Sequence, residues 1–168
     1  EQAVLREQAR LSGMEHRFED GRLEWKTIAP SNFAYSQDTG RYDVIIVPEG
    51  VIAPAARQPL LTPEFHAAMA VRLRENGLYC QRLSITDFGA TPVIEMLRSL
   101  DTAFRQVSIV TTDGSELLLL GTNSEYPIVD DQLAQRLERP HIRKLCAQLG
   151  GDWSLLTQLA YVTPEKVA

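Results

Sequence analysis

Cysteine is scarce in this chain: Cys80 and Cys146 are its two examples among 168 residues, far apart and without C-x-x-C spacing. So thin a set argues against a disulfide framework and a zinc centre, and reads as reduced thiols, buried or partly buried. Histidine is hardly commoner: His16, His66 and His141 show no metal-ligand spacing, so no metal is expected. All three are read as structural or solvated, with His66 facing solvent just inside a helix. Basic tracts are missing and the net charge is −5, which argues against nucleic acid as a partner. No apolar run approaches the roughly 18 residues of a membrane span, and no signal peptide is visible. Aromatic residues make up 7%, and Trp25 and Trp153 are read as packing residues rather than stacking platforms. A G-x-G-x-x-G segment is also missing, and with it the glycine-rich turn that cradles nucleotide phosphates.

What is present is an ordinary globular composition, 44% hydrophobic and 23% charged. A chain of this length makes one domain that buries about two-thirds of its unfolded surface. A metabolic or interaction role in the cytoplasm fits. The sequence starts at Glu1, already in a helix-like pattern, and is expected to be part of a longer protein.

Residues 1–12 read as the end of a helix stopped by Gly13, and 14–19 as a short strand running into Asp20-Gly21. Residues 23–29 are read as helical and the rest of 23–41 as loop. The clearest strand is 43–47, a continuous β-branched run without the alternation of a half-exposed strand. Residues 48–61 hold Pro48, Pro54 and Pro59 and make a loop long enough to suggest a functional lid. Thr62-Pro63-Glu64 is a helix start, with a capping hydroxyl, a proline at the first position and an acid in the first turn. Phe65, Met69 and Leu73 then share one face until Asn76-Gly77 is expected to stop the helix. A strand over 78–85 follows, then a helix opened by Thr91-Pro92 with Val93, Ile94, Leu97 and Leu100 inward. Strands over 104–111 and 116–121 form an antiparallel hairpin around a Thr-Asp-Gly-Ser turn. The tail reads as three helical pieces, opened by Asp130/Asp131, Pro140 and Asp152. Arg139, Arg143 and Lys144 are read as a solvated helix face. Alternating strands and helices of this kind imply parallel strand pairs joined by right-handed crossovers.

Six marks occur in order: Asp20-Gly21-Arg22 after a strand, Tyr-Asp-Val-Ile-Ile at 42–46, Leu-Thr-Pro-Glu-Phe at 61–65, Asn-Gly-Leu-Tyr-Cys-Gln at 76–81, Phe-Arg-Gln-Val at 104–107 and Glu-Leu-Leu-Leu-Leu-Gly at 116–121. Together they resemble the spermidine/spermine synthase-like (polyamine aminopropyltransferase) domain, a branch of the class I methyltransferase-like Rossmann folds. From residue 14 onward the chain is similar to the carboxyl-terminal two-thirds of such a domain. The resemblance implies an α/β sheet closed by an antiparallel hairpin. It would be a partial Rossmann-like domain over 1–123, with amino-terminal strands missing and a helical carboxyl-terminal extension over 124–168.

The resemblance also implies a site. It would bind decarboxylated S-adenosylmethionine or a related adenosyl nucleotide as co-substrate, with no tightly bound cofactor, and pass the aminopropyl group to an amine. By the same resemblance Asp20 accepts a hydrogen bond from the adenine amino group and Gly21 lets the backbone approach the ring, with an ordinary Asp-Gly turn as the plainer alternative. Gln81 would lie near the pocket, with an exposed strand-end amide as the plainer alternative.

The chain departs from the family in three ways. The glycine-rich turn and the acid that holds the ribose would lie before Glu1. The two absent strands would sit in the sheet centre, between the strand near residue 16 and the strand at 43–47. Their absence leaves apolar edges and unpaired backbone groups, to be covered by an upstream segment of the same protein, by a homodimer or by an altered fold. Secondly, the family's catalytic Asp directly after the strand is replaced by Pro48. Glu49 could serve as the base only with the loop re-registered by one residue, because a base must come within about 2.6–3.2 Å of its proton. Thirdly, Glu49 is the lone acid between 48 and 61, beside Arg57, whereas a diamine calls for opposed carboxylates.

The alternative reading is therefore a catalytically inactive module that binds an adenosyl metabolite or a protein. A methyltransferase on the same fold is a further alternative. In bacterial relatives this domain is often fused to a membrane transporter or another module, which would make this chain the cytoplasmic domain of a larger protein with a regulatory role.

Overall fold

The computed structural model describes residues 30–36, 41–48, 58–84, 90–111, 116–126, 128, 135, 138–148 and 160–162. In chain order the elements are α1 (Pro30–Ala34), β1 (Tyr42–Val47), a 3-10 turn (Gln58–Leu61), α2 (Pro63–Arg72), β2 (Leu73–Ser84), α3 (Ala90–Ala103), β3 (Gln106–Thr111), β4 (Glu116–Thr122), α4 (Pro140–Gln148) and β5 (Ala160–Val162). The strands form one sheet in the order β1-β2-β4-β3-β5. β1 and β2 are parallel, while β4 runs antiparallel to both β2 and β3 and β5 runs antiparallel to β3. The expected hairpin is thus present, with its second strand inserted between β2 and β3.

One face of this sheet carries the core. Tyr79 and Leu83 of β2, Leu119 of β4 and Ile109 of β3 are buried against Phe65 and Met69 of α2, Met96 and Leu100 of α3, and Phe104. α2 starts as read: the Thr62 hydroxyl accepts from the Phe65 amide at 3.2 Å, Pro63 follows, and Glu64 lies in the first turn.

It ends earlier than expected. The backbone turns extended at Leu73, whose amide bonds the Ala70 carbonyl, and the Asn123 side chain donates to that carbonyl at 2.9 Å. Asn76-Gly77 therefore lies within β2, where the ladder is irregular: Tyr42 pairs with Leu73, but Val44 pairs with Leu78. The extra residues bulge out on the β2 side, and Arg74 there holds Asp43 through both carboxylate oxygens, each at 2.9 Å.

The stretch read as loop after residue 29 contains α1. Arg72 closes its carboxyl end, donating to the Ala34 carbonyl at 3.3 Å and the Ser36 carbonyl at 2.6 Å, with its guanidinium 4.9 Å from the Phe33 ring centre. β1 also differs from expectation. Ile45 and Val47 face the core, but Val44 is 53% and Ile46 67% exposed. Val44 and Ile46 lie on the face of β1 opposite Ile45 and Val47, and little among the described residues covers that face. In α3, Ile94 turns outward, while Met96 and Ser99 join Leu100 on the buried side. The inward stripe steps by three and four residues from Val93, and Ile94 lies one step round the helix.

The tail is helical over Pro140–Gln148, and Arg139, Arg143 and Lys144 are exposed as read. Ala160–Val162 add a strand beside β3 in place of continued helix. No described helix is long and apolar enough to cross a membrane.

Candidate functional site

The parallel pair has its carboxyl edge where β1 stops. Val47 is paired with Gln81, the exposed Pro48 follows, and β2 runs on to Ser84. In open α/β sheets, ligands bind at this edge. The chain comes back to it through the 3-10 turn, whose Leu60 is buried. The Gln81 amide nitrogen donates to the Leu60 carbonyl at 3.3 Å. Thr62 fastens the turn from the other side, its hydroxyl donating to the Pro59 carbonyl at 3.1 Å.

Beneath the turn lies a buried polar cluster. His66 is 0% exposed; its Nδ1 is 2.6 Å from the Ser99 hydroxyl and its Nε2 is 3.0 Å from Gln81 Oε1. The Tyr79 hydroxyl donates to the same Oε1 at 2.8 Å. One contact, together with a neutral His66 ring, fixes the protons in this cluster. A carbonyl can only accept, so the Gln81 NH2 must face Leu60, which turns Oε1 toward His66 and Tyr79. His66 Nε2 therefore carries the hydrogen, the bare Nδ1 accepts, and Ser99 donates to it. Burial lowers the His66 pKa, opposed by the Gln81 bond, so the ring is neutral around pH 7. Burial likewise raises the Tyr79 pKa and keeps its phenol protonated as a donor. Tyr79 is stacked on Phe104 with ring centres 5.1 Å apart.

Of the residues singled out in the sequence, Gln81 is described, 3% exposed, with both ends of its amide engaged within the protein. It is not an exposed strand-end amide. Asp20, Gly21 and Glu49 lie outside the described residues, as do most of the 48–61 segment, His16, Trp25 and Trp153. His66 is corrected: it is buried, because α2 turns it toward β2 and α3. The signal was its helical spacing, since residues 66, 69 and 70 share the stripe that α2 buries. Ser99 and Tyr79 gave no sign in sequence of meeting it. Cys80 is a free, half-buried thiol whose pKa is raised by burial. Among the described residues, no group of three or more His, Cys, Asp or Glu is placed to hold a metal.

Chemically, the cluster is suited to positioning. Both His66 ring nitrogens are occupied, and Pro48, first after β1, offers no ionisable group.

No protein-family model and no curated protein matches this sequence. Solved structures do match it. A spermidine synthase in complex with the transition-state analogue AdoDATO has a TM-score of 0.59 at 15% identity, over 88% of this chain and 57% of its own. A spermidine synthase from Thermotoga maritima scores 0.58 at 16% identity, over 81% and 48%. A probable spermidine synthase from Corynebacterium glutamicum scores 0.53 at 20% identity, over 80% and 46%. The chain spans about half the length of these structures. The parallel β1–β2 pair, the inserted antiparallel hairpin and this likeness agree: the chain has a spermidine synthase-like fold of the methyltransferase-like α/β kind.

Proposed function

We propose that this chain binds an adenosyl nucleotide of the S-adenosylmethionine type at the carboxyl edge of β1 and β2, as part of an aminopropyltransferase-like domain. The observation that carries the reading is that edge. There β1 ends beside Gln81 of its parallel neighbour β2, and a turn is fixed against them by that buried amide. Asp20 and Gly21 would meet the adenine, and Gln81 would act through Leu60 rather than by touching the nucleotide. In the reaction, an amine nitrogen attacks the carbon bonded to the sulfonium. The C–S bond breaks, its electron pair stays on sulfur, and the amine's proton goes to a base, for which Glu49 is the candidate. Such a displacement depends mostly on holding the two reactants in line.

A second reading has its own observation. β1 ends at Val47, so Pro48 occupies the position directly after the strand, where the family resemblance implies the catalytic Asp. This favours a module that binds the nucleotide, or a protein partner, without turning the nucleotide over.

Calorimetric titration of 5′-methylthioadenosine into the full-length protein and its Asp20→Ala variant tests nucleotide binding. Affinity lowered about tenfold in the variant, roughly 1.4 kcal/mol, is the expected result. No heat from either protein overturns it. Where binding is seen, an amine screen with decarboxylated S-adenosylmethionine decides between the two readings: turnover sustains the transferase, and its absence together with turnover in Pro48→Asp identifies a decayed enzyme.

A further inference from the structure

Four elements converge on His66: α2 carries it, α3 supplies Ser99, β2 supplies Gln81 and Tyr79, and the 3-10 turn supplies the Leu60 carbonyl at the far end of the chain of bonds. No buried side-chain donor or acceptor among the described residues lacks a partner. An arrangement satisfied in one proton configuration, reached by side chains 15 and 33 residues away from His66, costs side-chain entropy to assemble. Leucine at 66 and 81 would fill a core with less demand on geometry. What the polar version adds is direction, because the bonds end on a backbone carbonyl of the turn that borders the carboxyl edge.

We propose that His66 is a positioning residue of the carboxyl-edge site: its Nε2–H holds Gln81 in the one amide orientation that captures the Leu60 carbonyl, and so fixes the Gln58–Leu61 turn against β2 beside the end of β1. The functional weight of this rests on the nucleotide-site reading above; the positioning itself does not.

A coupling to acid follows. The groups bonded to the ring or packed on it are Ser99 from α3, Gln81 and Tyr79 from β2, and Phe65 from its own helix, with Leu60 of the turn beyond Gln81. Of these side chains Tyr79 is the titratable one, and it is neutral. No carboxylate in this set compensates an imidazolium. When the turn lifts and water reaches His66, the ring regains its ordinary pKa of 6.5, whereas the closed form holds it lower. The opened form thus binds more protons below that value. The closed turn has its full stability above pH 6.5 and loses it as pH falls. The opening constant rises by up to about tenfold per pH unit in that window.

Amide hydrogen exchange over residues 58–62, corrected for the intrinsic pH dependence, reads this directly in the full-length protein. In His66→Leu, which removes the donor, protection of this segment is expected to fall at least tenfold at pH 7.5. In His66→Gln, which retains an N–H for Gln81 but cannot titrate, most protection returns and its acid sensitivity disappears. Affinity for 5′-methylthioadenosine should follow protection across the series. Nitrogen-detected NMR of the unmutated protein needs no variant: it should show His66 as the neutral tautomer with hydrogen on Nε2. Hydrogen on Nδ1, protection that ignores pH, or full protection in His66→Leu overturns the inference. Protection that behaves as expected, with no nucleotide bound by any form, would leave the positioning intact and remove the nucleotide reading instead.

Discussion

A methyl group on Gly121 would sit 2.7 Å from two ring carbons of Phe104. The ring cannot simply withdraw, because its other neighbour is the fully buried Tyr79, stacked at 5.1 Å. Gly121→Ala is expected to cost about 1–3 kcal/mol, as overfilling of a tight core does. Its denaturation midpoint should fall, and Phe104→Leu in the same chain should recover part of the loss. An unchanged midpoint would mean that the Phe104 ring moves freely. The same contact bears on the buried cluster, since Tyr79 donates to Gln81. Residue-level features of this sort were the least legible in sequence. Gly121 reads as no more than the last residue of a strand until its partner, 17 positions upstream, is known. His66 reads as a surface histidine for a similar reason: the groups that satisfy it come from two other elements.

Among the elements, β2 depends most on one glycine. A Cβ at Gly77 would lie 2.9 Å from the Tyr42 carbonyl oxygen and 3.0 Å from that of Arg74, both backbone atoms that no rotamer change can move. Gly77→Ala should therefore loosen the joint between β1 and β2. Amide exchange over 44–47 should quicken while that of the β3–β4 hairpin stays as it was; equal protection in both proteins would refute the assignment. Elements whose signals are local were readable beforehand. Thr62, Pro63 and Glu64 cap α2 within three residues of one another, and the hairpin pairs strands that follow directly in sequence. Where the deciding partner is distant the reading failed. Asn76-Gly77 carries the same local pattern whether it stops a helix or forms a bulge, and Asn123, which helps to end α2, lies 53 residues from the carbonyl it holds. α1 was missed because the cap on its last carbonyls comes from Arg72.

At the scale of the whole molecule, the order of alternating elements was enough for the fold class, and six short motifs in sequence pointed to the spermidine synthase-like arrangement that the solved structures share. The candidate site was half legible. Its place at the end of β1 follows from an apolar run meeting a proline, but the cluster below it is assembled from side chains that nothing local connects. The strand order has a consequence for biosynthesis. β4 lies between β2 and β3, yet it is made after both, so a chain emerging from the ribosome carries β2 with one side unpaired until residue 122 is available. Unsatisfied strand borders recruit other chains. Chains ending at residue 115 should therefore self-associate or bind holding chaperones more readily than chains extended through Thr122, in which β4 covers that side of β2 and β3 awaits β5 alone. β4 acts as a late-arriving wedge between β2 and β3, and the interval before it arrives leaves the growing chain open to aggregation.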